Sequence, residues 1–117
     1  MRAEIEALFD TPPATYSEEH REQFRLFKAA LNAGTIRAAE PDPASLIGWS
    51  VNGWVKKGIL AGFRMGTITD MSIDARRQPW FDKSTFPVRT LSEASGVRVV
   101  PGGSSIRDGC YLGKGVT

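Results

Sequence analysis

The chain has 117 residues, 41% of them apolar and 24% charged, which suits one modest globular domain and excludes wholesale disorder or a two-lobed enzyme with separate cofactor and substrate domains. Fifteen Lys and Arg against thirteen Asp and Glu leave a formal charge of +2, too even for a nucleic-acid binder or a polybasic membrane anchor. The single cysteine excludes an intrachain disulfide and a multi-thiolate metal site, and no apolar run approaches the roughly 20 residues that cross a bilayer, so a cytoplasmic protein is expected.

Ile5, Leu8 and Phe9 share one face of a short first helix, stopped by Thr11-Pro12-Pro13. Ser17 then reads as the N-cap of a helix over 17–33, with Glu18 and Glu19 where the helix dipole favours negative charge. His20, Phe24, Phe27 and Leu31 form its apolar stripe, and Gly34 is a natural stop. With no ligand-type partners nearby, His20 is expected to be packed or half-exposed rather than a metal ligand. Glu18, Glu19 and Glu22 read as a solvated helix face. Thr35–Ala39 and Leu46–Val51 suit short strands, parted by Pro41-Asp42-Pro43.

Asn52-Gly53 would suit a hairpin turn, but Val55, Ile59 and Phe63 follow at i, i+4 and i+8. Asn52 is therefore expected to cap a helix, with Lys57 and Arg64 pointing away from its apolar stripe. Gly58 and Gly62 each weaken that helix by about 1 kcal/mol relative to Ala, so its stability must come from packing. Met65 to Arg89 has no regular period, and no strand is assigned there. Lys56, Lys57, Arg76 and Arg77 read as ordinary surface charge.

Composition changes along the chain. Residues 1–40 carry five basic and seven acidic side chains, whereas six of the 12 glycines lie after Ser95. Within that Gly-rich stretch Val100, Ile106 and Leu112 recur every six residues, and Ser104, Cys110 and Val116 stand four residues after each. This is the pattern of a triangular parallel β-helix: the aliphatic residue of each hexapeptide points inward, and a small residue fits near each corner. Cys110 is then corner filler rather than a reactive thiol. Gly102-Gly103-Ser104-Ser105 lacks the Walker lysine spacing and is discounted as a phosphate loop. Three hexapeptides make one coil, and a coil buries its aliphatic residues only by stacking on others. The pattern therefore predicts the front of a longer protein, and fast amide exchange over 100–117 in the isolated chain.

LNAGTIRAAE, the helix WVKKGILAGFR, WFDK and GVRVVPGGSSIRDGCYLGKGVT, in that order, resemble the tetrahydrodipicolinate N-succinyltransferases of diaminopimelate and lysine biosynthesis. The resemblance is clearest from Leu31 to Thr117; residues 1–30 share only helical character. It implies an α+β chain: a mainly helical N-terminal domain over residues 1–95, followed by the first coil of a left-handed parallel β-helix over 96–117. It also implies a homotrimer when full length, a small dicarboxylate as substrate, and succinyl-CoA as co-substrate with no tightly bound cofactor and no metal.

One family residue carries over. Arg98, in Gly96-Val97-Arg98-Val99-Val100-Pro101, matches the arginine that binds the dicarboxylate, with Val97 in place of the usual aromatic. The acidic residues proposed for catalysis in the family match no position here, so no catalytic residue is assigned and the 117-residue chain alone is expected to be inactive. The alternative is a non-catalytic domain that binds a partner or regulates an assembly through its tail. A third reading is a hexapeptide acyltransferase using acetyl-CoA.

Overall fold

In the computed structural model, which describes residues 1–117, Ser17 caps the longest helix as its sequence demands. Its Oγ accepts the His20 N–H at 3.3 Å, and His20 Nδ1 accepts the Ser17 N–H at 3.1 Å. This is a capping box with histidine in the position usually held by Glu or Gln. Helix α2 runs Glu18–Ala33 and ends on Gly34 in the left-handed region, at φ 71°. Helix α1 spans Arg2–Asp10, and α3 spans Gly53–Met65.

The three helices share one small core: Ile5 and Leu8 of α1, Phe24, Phe27 and Leu31 of α2, Val55, Ala61 and Met65 of α3, and Phe86. Helix α3 turns a different face inward from the one its aliphatic spacing suggests. Val55 is fully buried, but Ile59 and Phe63 sit at the flank, and the buried line runs Val55, Gly58, Ala61, Gly62 and Met65. The reason is size. A Cβ on Gly58 would lie 2.5 Å from Phe27 Cζ and 2.7 Å from Ile5 Cγ2; one on Gly62 would overlap the Phe24 ring and lie 2.9 Å from Phe86. The glycines that lower helix propensity are the surface on which the rings rest.

Lys57 and Arg64 leave the core, as expected, but tether α1. Lys57 Nζ meets Asp10 Oδ2 at 2.7 Å, and Arg64 donates to the Phe9 carbonyl at 3.1 Å with its guanidinium 5.2 Å from the Phe9 ring centre. Asn52 occupies the N-cap position, yet its side chain does not cap. Its Nδ2 donates to the Arg37 carbonyl at 2.8 Å and so ties the preceding loop to α3.

Two antiparallel hairpins complete the architecture. Strand β1, Ala39–Pro41, pairs with β2, Trp49–Val51. Pairing begins where the first strand was expected to end, because residues 42–48 form a turn. Asp42 Oδ1 accepts the Ala44 N–H at 3.0 Å, and Gly48 has φ 74°. Strand β3, Ile68–Asp70, pairs with β4, Phe81–Lys83, in the region that shows no sequence period.

Residues 96–117 contain no strand: turns at 101–103, 108–109 and 114–115 separate irregular segments, and Arg107 makes a single bridge to Val88. The stretch folds back on the chain: Arg89 N–H bonds the Ile106 carbonyl at 2.7 Å and Asp108 N–H the Pro87 carbonyl at 2.8 Å. Gly115 N–H bonds the Gly96 carbonyl at 2.7 Å, and Arg98 N–H bonds the Val116 carbonyl at 2.9 Å. The whole is flat, 44 × 40 × 23 Å, with a radius of gyration of 16.2 Å against about 13 Å for a compact chain of this length. No helix is long and apolar enough to cross a membrane.

Gly58→Ala and Gly62→Ala each gain helix propensity but force ring displacement in a packed core, and overpacking costs about 1–3 kcal/mol. Each variant is expected to lower the urea unfolding midpoint, whereas Gly53→Ala, with open space around it, is expected to be neutral or stabilising. Unchanged midpoints for the first two would remove the close approach as a constraint.

Candidate functional site

The side chain of Arg98 is exposed. Other arginines are engaged within the chain. Arg107 makes a two-pronged contact with Asp82, Nε to Oδ2 at 2.7 Å and Nη2 to Oδ1 at 3.1 Å, and these bonds hold the Asp82 carboxyl below the usual carboxylate range. Arg25 is paired with Glu22 in the same manner. The guanidinium of Arg98 has no carboxylate of this chain against it, so its fork of donors is free for an external anion.

Arg98 stands at the rim of an open hollow of about 250 Å³. Its walls include Val100, Ile106 and Leu112, the three aliphatic residues of the six-residue repeat, together with Ser104 and Val116 from the small positions. Cys110, the remaining small position, is exposed outside this wall, and its carbonyl accepts a bond from Arg89. A larger cleft of about 550 Å³ lies between β4 and the tail, lined by Trp80, Phe81, Asp82 and Arg107 among others. There the cation is already neutralised by Asp82.

The local sequence pattern misses a polar cluster that joins α2 to the tail. Lys28 Nζ lies 2.8 Å from Asp108 Oδ2 and donates to the Thr85 carbonyl at 2.9 Å. Asn32 Nδ2 donates to Asp108 Oδ1 at 2.5 Å, while Asn32 Oδ1 accepts the Gly109 N–H at 2.7 Å and Arg89 Nη1 at 3.0 Å. Its bonded partners lie 57 to 80 positions apart in the chain, and no short-range period reports such a contact. Lys28 appears in the sequence only as a polar residue off the α2 stripe.

Burial of Asp108 opposes its charge, but the hydrogen bonds from Lys28 and Asn32 prevail and its carboxyl sits below the ordinary Asp value. The folded value is thus lower than the unfolded value of about 3.9. Stability from this carboxylate is fully present above that value and is lost as pH falls through the folded one. Asp108→Asn is therefore expected to flatten the fall of the urea midpoint as the pH drops below about 4; the same slope in both proteins would dissociate Asp108 from acid stability.

A family model described as the N-terminal part of tetrahydrodipicolinate N-succinyltransferase matches residues 1–65. The match includes the first 30 residues, for which only helical character was expected. Among curated relatives, the 2,3,4,5-tetrahydropyridine-2,6-dicarboxylate N-succinyltransferase of Xylella fastidiosa is 43% identical over 90 residues, covering 74% of this chain and 31% of that protein. Those of a Jannaschia species and of Gluconobacter oxydans are 34% and 32% identical, each over 99% of this chain, covering 42% and 43% of their own lengths. The chain thus spans less than half the length of these relatives. It belongs to the tetrahydrodipicolinate N-succinyltransferase family, in the N-terminal part of that enzyme.

Proposed function

We propose that this chain is the N-terminal portion of an enzyme that transfers a succinyl group from succinyl-CoA to tetrahydrodipicolinate, and that Arg98 binds the dicarboxylate. The observation that carries this reading is the free guanidinium of Arg98 at the rim of a hollow walled by Val100, Ile106 and Leu112. The Arg98 N–H bonds the carbonyl of Val116, 18 residues on, which is the length of three hexapeptides. That spacing supports residues 96–117 as the opening coil of a left-handed β-helix, after a helical domain over 1–95.

In this reading the substrate nitrogen attacks the thioester carbonyl, a base takes its proton, and the CoA thiolate leaves from a tetrahedral intermediate. Arg98 fixes the dicarboxylate by parallel N–H bonds and so lowers the entropic cost of bringing the two reactants together. The base and the oxyanion donors belong to later coils of a cytoplasmic homotrimer, and residues 1–117 alone are inactive.

A second reading, a non-catalytic partner-binding domain, is favoured by one observation. The β1–β2 hairpin exposes Leu46 fully, Ile47 to 75% and Val51 to 74%.

The test fuses residues 1–117 to the remaining coils of the Jannaschia relative and follows CoA release from succinyl-CoA and acetyl-CoA. Succinyl-CoA-dependent turnover is expected in the fusion. Arg98→Ala should raise the KM for the dicarboxylate at least tenfold, the scale of a lost hydrogen bond between charged groups (about 1.5–3 kcal/mol). It should leave the unfolding midpoint nearly unchanged, because an exposed side chain contributes within about 0.5 kcal/mol. An unaltered KM removes Arg98 from the site. An inactive fusion beside an active parent favours the partner-binding domain, and preference for acetyl-CoA favours the third reading.

A further inference from the structure

No hydrogen bond or ion pair ties the Arg98 side chain to the helical body; its backbone is held by the tail. The Arg98 N–H bonds Val116, and the neighbouring Gly96 carbonyl accepts the Gly115 N–H. Residues 115 and 116 are joined through the short segment Leu112-Gly113-Lys114 to 108–111, the part of the tail that rests on α2. At that point Asn32 makes three bonds at once, to the Asp108 side chain, the Gly109 N–H and Arg89. Lys28 holds the second oxygen of Asp108, and the two side chains are only 15% and 24% exposed.

The fit around these bonds is close. Gly109 has φ +104°, between Lys28 and Phe86, and Tyr111 lies against Gly34, where a Cβ would stand 2.7 Å from its ring. The Arg37 guanidinium covers the other part of that ring at 4.6 Å from its centre. A carboxamide suits the centre of this cluster because it donates and accepts in fixed directions. Sliding the tail by one residue would remove the Gly109 N–H and the Asp108 carboxylate from Asn32 together.

We propose that Asn32 is a positioning residue for Arg98: it locks the register of residues 108–111 on α2, and that register sets the backbone of 96–98 through Gly115 and Val116. The functional consequence rests on the reading that Arg98 binds the dicarboxylate; the positioning itself does not. Lys28 and Arg89 support the lock: Lys28 pairs with Oδ2 of Asp108, and Arg89 donates to Oδ1 of Asn32.

Amide exchange of the 117-residue chain tests the positioning directly. The repeat alone predicts fast exchange throughout 100–117, but the Gly109 and Gly115 N–H groups are bonded within the chain. Gly109, Gly115 and Arg98 are therefore expected to exchange at least tenfold more slowly than residues 102–105. Asn32→Leu should abolish the difference at all three while leaving the amides of Phe27 and Ala61 unchanged. The double variant Asn32→Asp with Asp108→Asn reverses the donor and acceptor of one bond, keeps the acceptor for Gly109 and Arg89, and should restore protection. It also serves if Asn32→Leu does not fold. Free-chain exchange at all three sites in the unsubstituted protein overturns the proposal. So does unchanged protection of Arg98 and Gly115 in Asn32→Leu, or failure of the double variant to restore it.

In the fusion enzyme, Asn32→Leu should raise the KM for the dicarboxylate at least threefold without altering that for succinyl-CoA, and the double variant should reverse the change. If Arg98→Ala has no effect on that KM, the binding role of Arg98 falls while the exchange result still decides the role of Asn32.

Discussion

The packing of Phe24 and Phe27 of α2 onto Gly62 and Gly58 of α3 is the contact on which the remaining structure depends. Two rings that bury about 1.5–3 kcal/mol each need a partner surface without side chains, and α3 supplies one at the spacing of a helical turn. The penalty of about 1 kcal/mol for each glycine is offset by this close approach. Phe86 extends the same contact: it stands edge-on to Phe24 at 5.5 Å, lies 4.8 Å from Phe63, and is the second group that a Cβ on Gly62 would strike. From Phe86 the chain runs directly into Pro87-Val88-Arg89, whose backbone pairs with residues 106–108. The place where the tail joins the body is therefore set by how near α2 and α3 approach.

Body and tail are held by different physics. The body is a nine-residue apolar core, with surface ion pairs such as Lys57–Asp10 adding little to stability. The tail is attached through carbonyls, a carboxamide and a half-buried ion pair, while its own aliphatic residues face an open hollow. Removing one member of such a cluster leaves its partners unsatisfied, and that penalty exceeds the net worth of the bond. Small changes at Lys28, Asn32 or Asp108 thus affect attachment far more than changes at exposed residues of 101–105.

Local patterns revealed the elements whose signals are local. Ser17 and Gly34 delimit α2 within a residue, and the Thr11-Pro12-Pro13 stop ends α1. The orientation of α3 was not legible, because aliphatic spacing favours Val55, Ile59 and Phe63, while the true inward face is chosen by the room that Phe24 and Phe27 require. Strands β3 and β4 have three residues each, too few for an alternation to emerge. Their pairing rests on turn bonds such as Ser72 N–H to Asp70 at 2.9 Å. Arg98 was found by family resemblance alone, since nothing in its own neighbourhood distinguishes it from an exposed strand arginine. Asn32 was visible only as a polar residue near the end of α2, because its partners lie 57 to 77 positions away.

The polar character of the attachment has its own logic. Residues 96–117 carry aliphatic side chains at a strict interval, and an apolar docking face on α2 would compete for them. Val100, Ile106 or Leu112 could then bury against the helix in several registers of similar energy, since hydrophobic contact has no direction. A shift of one residue would then change which of these side chains meets the helix at little cost. Hydrogen bonds to Asn32 and Asp108 do not tolerate such a shift, because bond strength falls steeply with angle. Attachment through α2 therefore selects one register and leaves the repeat's aliphatic residues together on the hollow where Arg98 stands.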